Sequence, residues 1–173
     1  MPAHATAVPL HSVSSVNIRE ARPDDAEAMV RMVQALAEYQ GVKQRVTAKV
    51  EDFRRDGFGP QRKFETLIAE RTGQPVGLAL FQIFYASWEG AAALQITDLF
   101  VDESARGTGV GFNLVRAAGR VATDRGCTSL QLNVVHANPS RASFDRIGFV
   151  HQDDLLHYRL DAPGLGKLIE MER

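Results

Sequence analysis

The sequence predicts an α/β fold, a single layered domain built on a mixed β-sheet. Three observations lead there. Short apolar stretches of strand character are interleaved with two pairs of stretches whose apolar residues recur at helical spacing. No internal repeat, low-complexity tract or linker divides the 173 residues, a length that suits one domain. Near residue 100 an apolar run passes through a glycine-rich turn directly into a long helical pattern, the order strand, turn, helix.

Residues 1–15 carry neither a basic start nor a long apolar core and read as a flexible extension to a domain spanning residues 16–162. Val16 to Ala21 alternates as a short strand. Pro23, Asp24 and Asp25 open a helix, because proline tolerates the first turn and carboxylates suit its positive end. Its apolar face is Ala26, Met29, Val30, Val33, Leu36 and Ala37. A second helix is expected over Thr47 to Arg55, ending at Gly57. Phe64 to Glu70 and Val76 to Tyr85 read as strands joined by the hairpin turn Arg71 to Pro75. Ala92 to Val101 is the next strand, and a long helix follows with Val110, Leu114, Val115, Ala118, Val121 and Ala122 on one face. Leu130 to Val135 alternates as a strand, Pro139 to Arg146 is a short helix, and Leu155 to Leu160 is expected to close the sheet. Residues 163–173 read as a disordered tail.

Composition narrows the function. A formal charge of −1 provides no global basic field for nucleic acid or an anionic membrane. No apolar run approaches the ~20 residues needed to span a bilayer. Cys127 is the only cysteine, so an internal disulfide is impossible, which fits a reducing, cytoplasmic setting. His4, His11, His151 and His157 have no ligand-like spacing and no Cys/His cluster exists, so no metal is expected.

Arg106-Gly107-Thr108-Gly109-Val110-Gly111 carries the clearest chemistry. The first turn of a helix has unbonded N–H groups at the positive end of its dipole. Glycines let a backbone approach a diphosphate closely, and Arg106 adds a charge-assisted donor. A Walker loop would need Lys-Ser or Lys-Thr after the last glycine, where Phe112-Asn113 stands. The spacing of Gly107, Gly109 and Gly111 also differs from the dinucleotide fingerprint, and the loop lies past mid-chain. The loop therefore predicts a cradle for the diphosphate of a coenzyme.

Arg-x-x-Gly-x-Gly after Asp98-Leu-Phe-Val-Asp-Glu-Ser-Ala105 resembles the coenzyme loop of the GNAT superfamily of acyl-CoA-dependent N-acetyltransferases. Ile18 to Asp25 resembles that family's opening strand and first helix cap, and Asn138 to Phe149 its late helix. Ala37-Glu-Tyr39, Asp56-Gly-Phe-Gly59, Tyr85-Ala-Ser-Trp88 and Asp98-Leu-Phe-Val101 are similar to the diamine (spermidine/spermine-type) acetyltransferase group. The resemblance runs from about Val16 to Leu160. It implies a centrally splayed mixed sheet of six to seven strands with helices on both faces, and acetyl-CoA as co-substrate. It implies that Leu99, Phe100 and Val101 meet the pantetheine arm. Arg106, Gly107, Thr108, Gly109, Val110 and Gly111 would hold the diphosphate, with Asn138, Ser140 and Phe144 also contributing to the coenzyme site. Tyr39, Tyr85, Trp88 and Asp98 would line the site of a small-molecule primary amine, and the molecule would be a homodimer.

Three positions depart from that family's pattern. Phe144 stands where many members have a tyrosine that protonates the departing thiolate. Thr97 stands where the diamine group has a glutamate, although Asp98 is kept. The family asparagine falls on Ala137, with Asn138 adjacent. Proton handling then passes to Asp98, which orients the amine or caps structure, and to His136, which titrates in the right range or is bonded to backbone. Tyr158, Ser140 and Ser143 are further candidates. Two functions follow from these residues: direct acetyl transfer in a ternary complex, or coenzyme binding in a regulatory protein that has lost the chemistry. Acetylation of protein amines is a third.

Overall fold

The computed structural model describes residues 16–136 and 138–171. The chain divides into two compact units, with the boundary between Asn133 and Val134. The first unit holds a five-stranded sheet in the order of the chain: β1 (Asn17–Glu20), β2 (Glu65–Arg71), β3 (Gln74–Ala86), β4 (Ala91–Val101) and β5 (Ser129–Leu132). The first four strands form an antiparallel meander, and β5 pairs parallel to β4.

Adjacent strand residues point to opposite faces, and each face has its own helices. Ile68, Leu78, Leu80 and Phe100 pack with Ala26, Met29, Val30 and Met32 of α1 (Ala26–Tyr39) and with Phe53 of α2 (Val50–Phe58). On the other face lies α3 (Val110–Asp124), which buries Val110, Leu114, Val115, Ala118 and Ala122. Gly77 is required there, because a Cβ at that position would come within 2.9 Å of Phe100 O and 3.3 Å of Leu114 Cδ1. α3 is the crossover that makes β5 parallel to β4, as a parallel pair requires.

Local chemistry sets several boundaries. α1 ends where Gly41 takes φ 71°, with the Val42 N–H bonded to Ala37 O at 2.8 Å. α2 begins three residues later than expected and runs through Gly57 to Phe58. Gly57 does not stop the helix. It leaves room for Phe64, whose ring lies 2.9 Å from the position a Cβ would take. At the start of α1, Asp25 Oδ2 accepts the Arg22 N–H at 2.7 Å, and both Asp25 oxygens receive the Arg19 guanidinium at 2.7 and 2.9 Å. The Arg19 Nε donates to Glu70 at 2.7 Å, tying β1 to β2. These bonds hold the Asp25 carboxyl below its ordinary range, the Arg19 pairing being the largest cause.

Among the described residues the sheet has five strands rather than six to seven. β5 stops at Leu132, so Val135 and His136 lie beyond it. The second unit contains α4 (Arg141–Arg146) and α5 (Ala162–Glu170). The expected closing strand, Leu155–Leu160, is irregular and exposed. Its alternation would set Leu156, Tyr158 and Leu160 on one face, but all three side chains are exposed and no ladder forms among the described residues. The tail, expected to be disordered, forms α5 from Ala162. Asp161 caps that helix by accepting the Gly164 N–H at 2.9 Å, and Pro163 sits in its first turn.

Candidate active site

The β4–β5 ladder ends at Ile96↔Leu132, while β4 continues to Val101 alongside β3. Leu99, Phe100 and Val101 therefore carry no β5 ladder on that edge. Opposite it the β3–β4 register slips: Leu80 pairs with Asp98 and Phe81 with Ile96, so Thr97 is the extra residue of a bulge. Nothing in the residue types announced the bulge. Thr97 Oγ1 lies 3.3 Å from Leu80 O and 3.1 Å from Asp98 Oδ2, and its one proton serves either acceptor.

Asp98 shares the α1 face with its partner Leu80 and is half-buried. Desolvation raises its carboxyl above the ordinary range, and the Thr97 hydroxyl works in the opposite direction. Its proton affinity is greater than that of a solvated aspartate.

Beyond β4 the chain makes one tight turn, Glu103–Ala105, and enters the glycine loop. Gly107 and Gly109 hold φ of 74° and 82°, and Gly109 is the residue before the first turn of α3. A Cβ on either would meet nothing within 4 Å, so these glycines serve backbone conformation rather than space. Gly111 has neither requirement; its Cβ would make ordinary contact with Val101 Cγ2 at 3.6 Å. The N–H of Asn113 bonds Gly109 O at 3.0 Å. Those of Gly107, Thr108, Gly109, Val110, Gly111 and Phe112 have no partner among the described residues. Six consecutive free amides at the positive end of a 15-residue helix suit a multiply charged anion.

Arg106 donates from Nε to Val101 O at 3.0 Å and lays its guanidinium over the Tyr39 ring, 4.8 Å from the centroid. Tyr39, expected at the amine, thus sits at the glycine loop. Tyr85 and Trp88 are also placed apart from Asp98 within one chain. Tyr85 pairs with Ala92, six residues from Asp98 along β4, or roughly 20 Å at strand rise. It lies on the α3 face, four residues from Phe81, and Trp88 is 98% exposed in the β3–β4 turn. The expected pocket of Asp98, Tyr85 and Trp88 is not assembled by one chain, because a strand spaces residues along its axis however apolar they are.

In the second unit, Asn138 Oδ1 accepts the Ser140 N–H at 2.9 Å, shaping the entry to α4. Ser140 precedes the helix but makes no side-chain capping bond. Phe144 packs edge-on against Phe149 at 5.9 Å between centroids. His136 lies in a turn rather than at a strand end; Arg141 Nη1 bonds its carbonyl at 3.1 Å and faces its Nδ1 at 3.4 Å. Ala137 is outside the described residues. Sequence reasoning missed Arg71. Read as a turn residue, it reaches the glycine loop at Ser104 O and Thr108 Oγ1, and arginine at a strand end carries no signal of such a role.

A strand that outruns its parallel neighbour and feeds a glycine-rich helix start fits the class of acyl-coenzyme transferases that the sequence resembles. The model of the acetyltransferase (GNAT) family matches residues 28–149, and the chain belongs to that family. It is an N-acetyltransferase. The chain is 34% identical over 134 residues to the thialysine N-epsilon-acetyltransferase of Sus scrofa, a match covering 73% of this chain and 78% of that one. It is 27% identical over 140 residues to the spermidine/spermine N(1)-acetyltransferase-like protein 1 of Homo sapiens, covering 77% of this chain and 20% of the relative. These matches agree with the diamine acetyltransferase group. Its fold is similar to the aminoglycoside N-acetyltransferase AAC(6')-Iy in complex with CoA, with a TM-score of 0.70, 20% identity, and coverage of 87% and 98% of the two chains. Among the described residues no helix is long and apolar enough to cross a membrane.

Proposed function

We propose that the protein transfers an acetyl group from acetyl-CoA to a primary amine of a small molecule, by direct transfer in a ternary complex. One observation carries the coenzyme part: the six free amides from Gly107 to Phe112, set between β4 and α3 by glycines with positive φ. A diphosphate fits that donor row in charge and in hydrogen-bonding type. When bound, the coenzyme supplies an activated thioester. The chain supplies the rest.

An alkyl ammonium has a pKa of about 10.4, so about one molecule in a thousand is nucleophilic at neutral pH. Asp98 is the chain's residue for that problem, half-buried and with raised proton affinity, able to bind the ammonium or draw off its proton. Glu38, the carboxylate of the Ala37-Glu-Tyr39 segment, is paired with Lys43 at 3.1 Å. His136 stays in the reading as a second proton carrier. Asn138, Ser140 and Phe144 enter it through the family resemblance alone. The relatives named for thialysine and spermidine/spermine support a small amine as acceptor. A homodimer in the cytoplasm belongs to the same reading.

Calorimetric titration with CoA tests the coenzyme site. Gly109→Glu forces a side chain into φ 82° and sets a negative charge in the amide row, so CoA affinity should fall by at least about a hundredfold while the fold persists. Unchanged affinity would show that the loop is not the diphosphate site.

A further inference from the structure

We propose that Arg71 is a positioning residue for coenzyme binding, acting through the glycine loop. The proposal rests on the reading of that loop as the diphosphate site. Arg71 is the last residue of β2, where Arg71↔Gln74 closes a two-residue turn. That turn holds Thr72 at φ 48° and Gly73 at φ 78°, both left-handed, and a β-branched residue occupies such a φ only under strain. The hairpin end is thus fixed in a conformation its sequence does not favour, and it aims Arg71 across the sheet end.

There the guanidinium forks. Nη1 donates to Ser104 O and Nη2 to Thr108 Oγ1, each at 3.3 Å. The Thr108 hydroxyl donates its hydrogen bond to Ala105 O at 2.7 Å, leaving its lone pairs for Arg71. The fork spans both sides of Gly107. Among the described residues no other side chain from outside the loop hydrogen-bonds it. Arg106 is itself a loop residue, and Asp102 is tied to Val76 O by backbone alone, at 2.8 Å. Two glycines with positive φ make the free loop entropically expensive to order. A side chain that orders it in advance moves that cost from binding to folding, so affinity rises without any contact to the ligand.

Arg71→Ala should weaken CoA binding about three- to tenfold, the worth of two long, exposed, charge-assisted bonds. Its kcat at saturating acetyl-CoA should stay within about twofold of the parent. Arg71→Lys should behave like the alanine variant, since an ammonium keeps the charge but cannot bridge two acceptors as the fork does. Thr108→Val should cause a similar loss, and the double variant should be no weaker than the worse single one. Dephospho-CoA should show the same factors as CoA. Three results would overturn the proposal: unchanged affinity in Arg71→Ala, full rescue by lysine, or a loss that disappears with dephospho-CoA. Lysine rescue would mean simple charge attraction, and the last result a direct contact with the 3′-phosphate. If Gly109→Glu keeps CoA affinity, the loop reading itself fails. If that variant loses CoA and Arg71→Ala does not, only the role of Arg71 fails.

Discussion

At the scale of single residues, Asp98 joins a cost in stability to the role proposed for it at the amine. Its carboxyl is raised mainly by desolvation, so the folded chain holds that proton to higher pH than the unfolded chain does. Stability contributed by this group therefore falls as pH climbs from the ordinary carboxylate range through the raised value. Asp98→Asn removes the penalty. At neutral pH its Tm should equal or exceed the parent's, whereas acceptor kcat/KM should drop about ten- to a hundredfold with CoA affinity unchanged. A lowered Tm would make the residue structural, and full activity would place the amine elsewhere. Asp98 and the loop glycines were legible in the sequence because charge and φ preference belong to residue types. The Thr97 bulge, the fork of Arg71 and the Tyr39 platform were not, since each depends on which residues the sheet brings opposite one another.

At the scale of elements, the joint between β1 and α1 is built around one carboxylate. Asp25 is 8% exposed and receives three donors, two from Arg19 and the N–H of Arg22. Its lowered pKa contributes stability that is complete above the ordinary carboxylate range and lost as pH falls through the lowered value. Asp25→Ala leaves the Arg19 guanidinium with Glu70 as its remaining carboxylate and should cost about 2–4 kcal/mol in denaturant unfolding. The difference from the parent should shrink below the ordinary carboxylate range. Element types were readable where periodicity was strong, in α1, α3 and the β2–β4 meander. They were misread where a glycine carried a second meaning and where an alternating segment stays exposed. Gly57 reads as a helix stop and proves to be a packing contact; Leu155–Leu160 reads as a strand and stays irregular.

At the scale of the whole molecule, stability is concentrated in the first unit. Met29, Ile68, Leu78, Leu94, Ile96 and Leu114 are almost fully buried there, whereas α4 and α5 of the second unit bury no residue. Hydrogen exchange should accordingly be slowest at the amides of β2, β3 and β4 and fastest across residues 134–171. Comparable protection in the two units would contradict this division. The order of the strands also bears on how the site comes into being on the ribosome. Because β1 to β4 pair strictly in sequence, the antiparallel meander is complete once Val101 has been made. The parallel partner β5 and the crossover helix lie further along the chain and close over a longer loop. A nascent chain can thus pair its antiparallel half before α3 and β5 have been made. The glycine-rich turn then takes shape on a finished platform, where Val76 and Arg71 already wait to receive it.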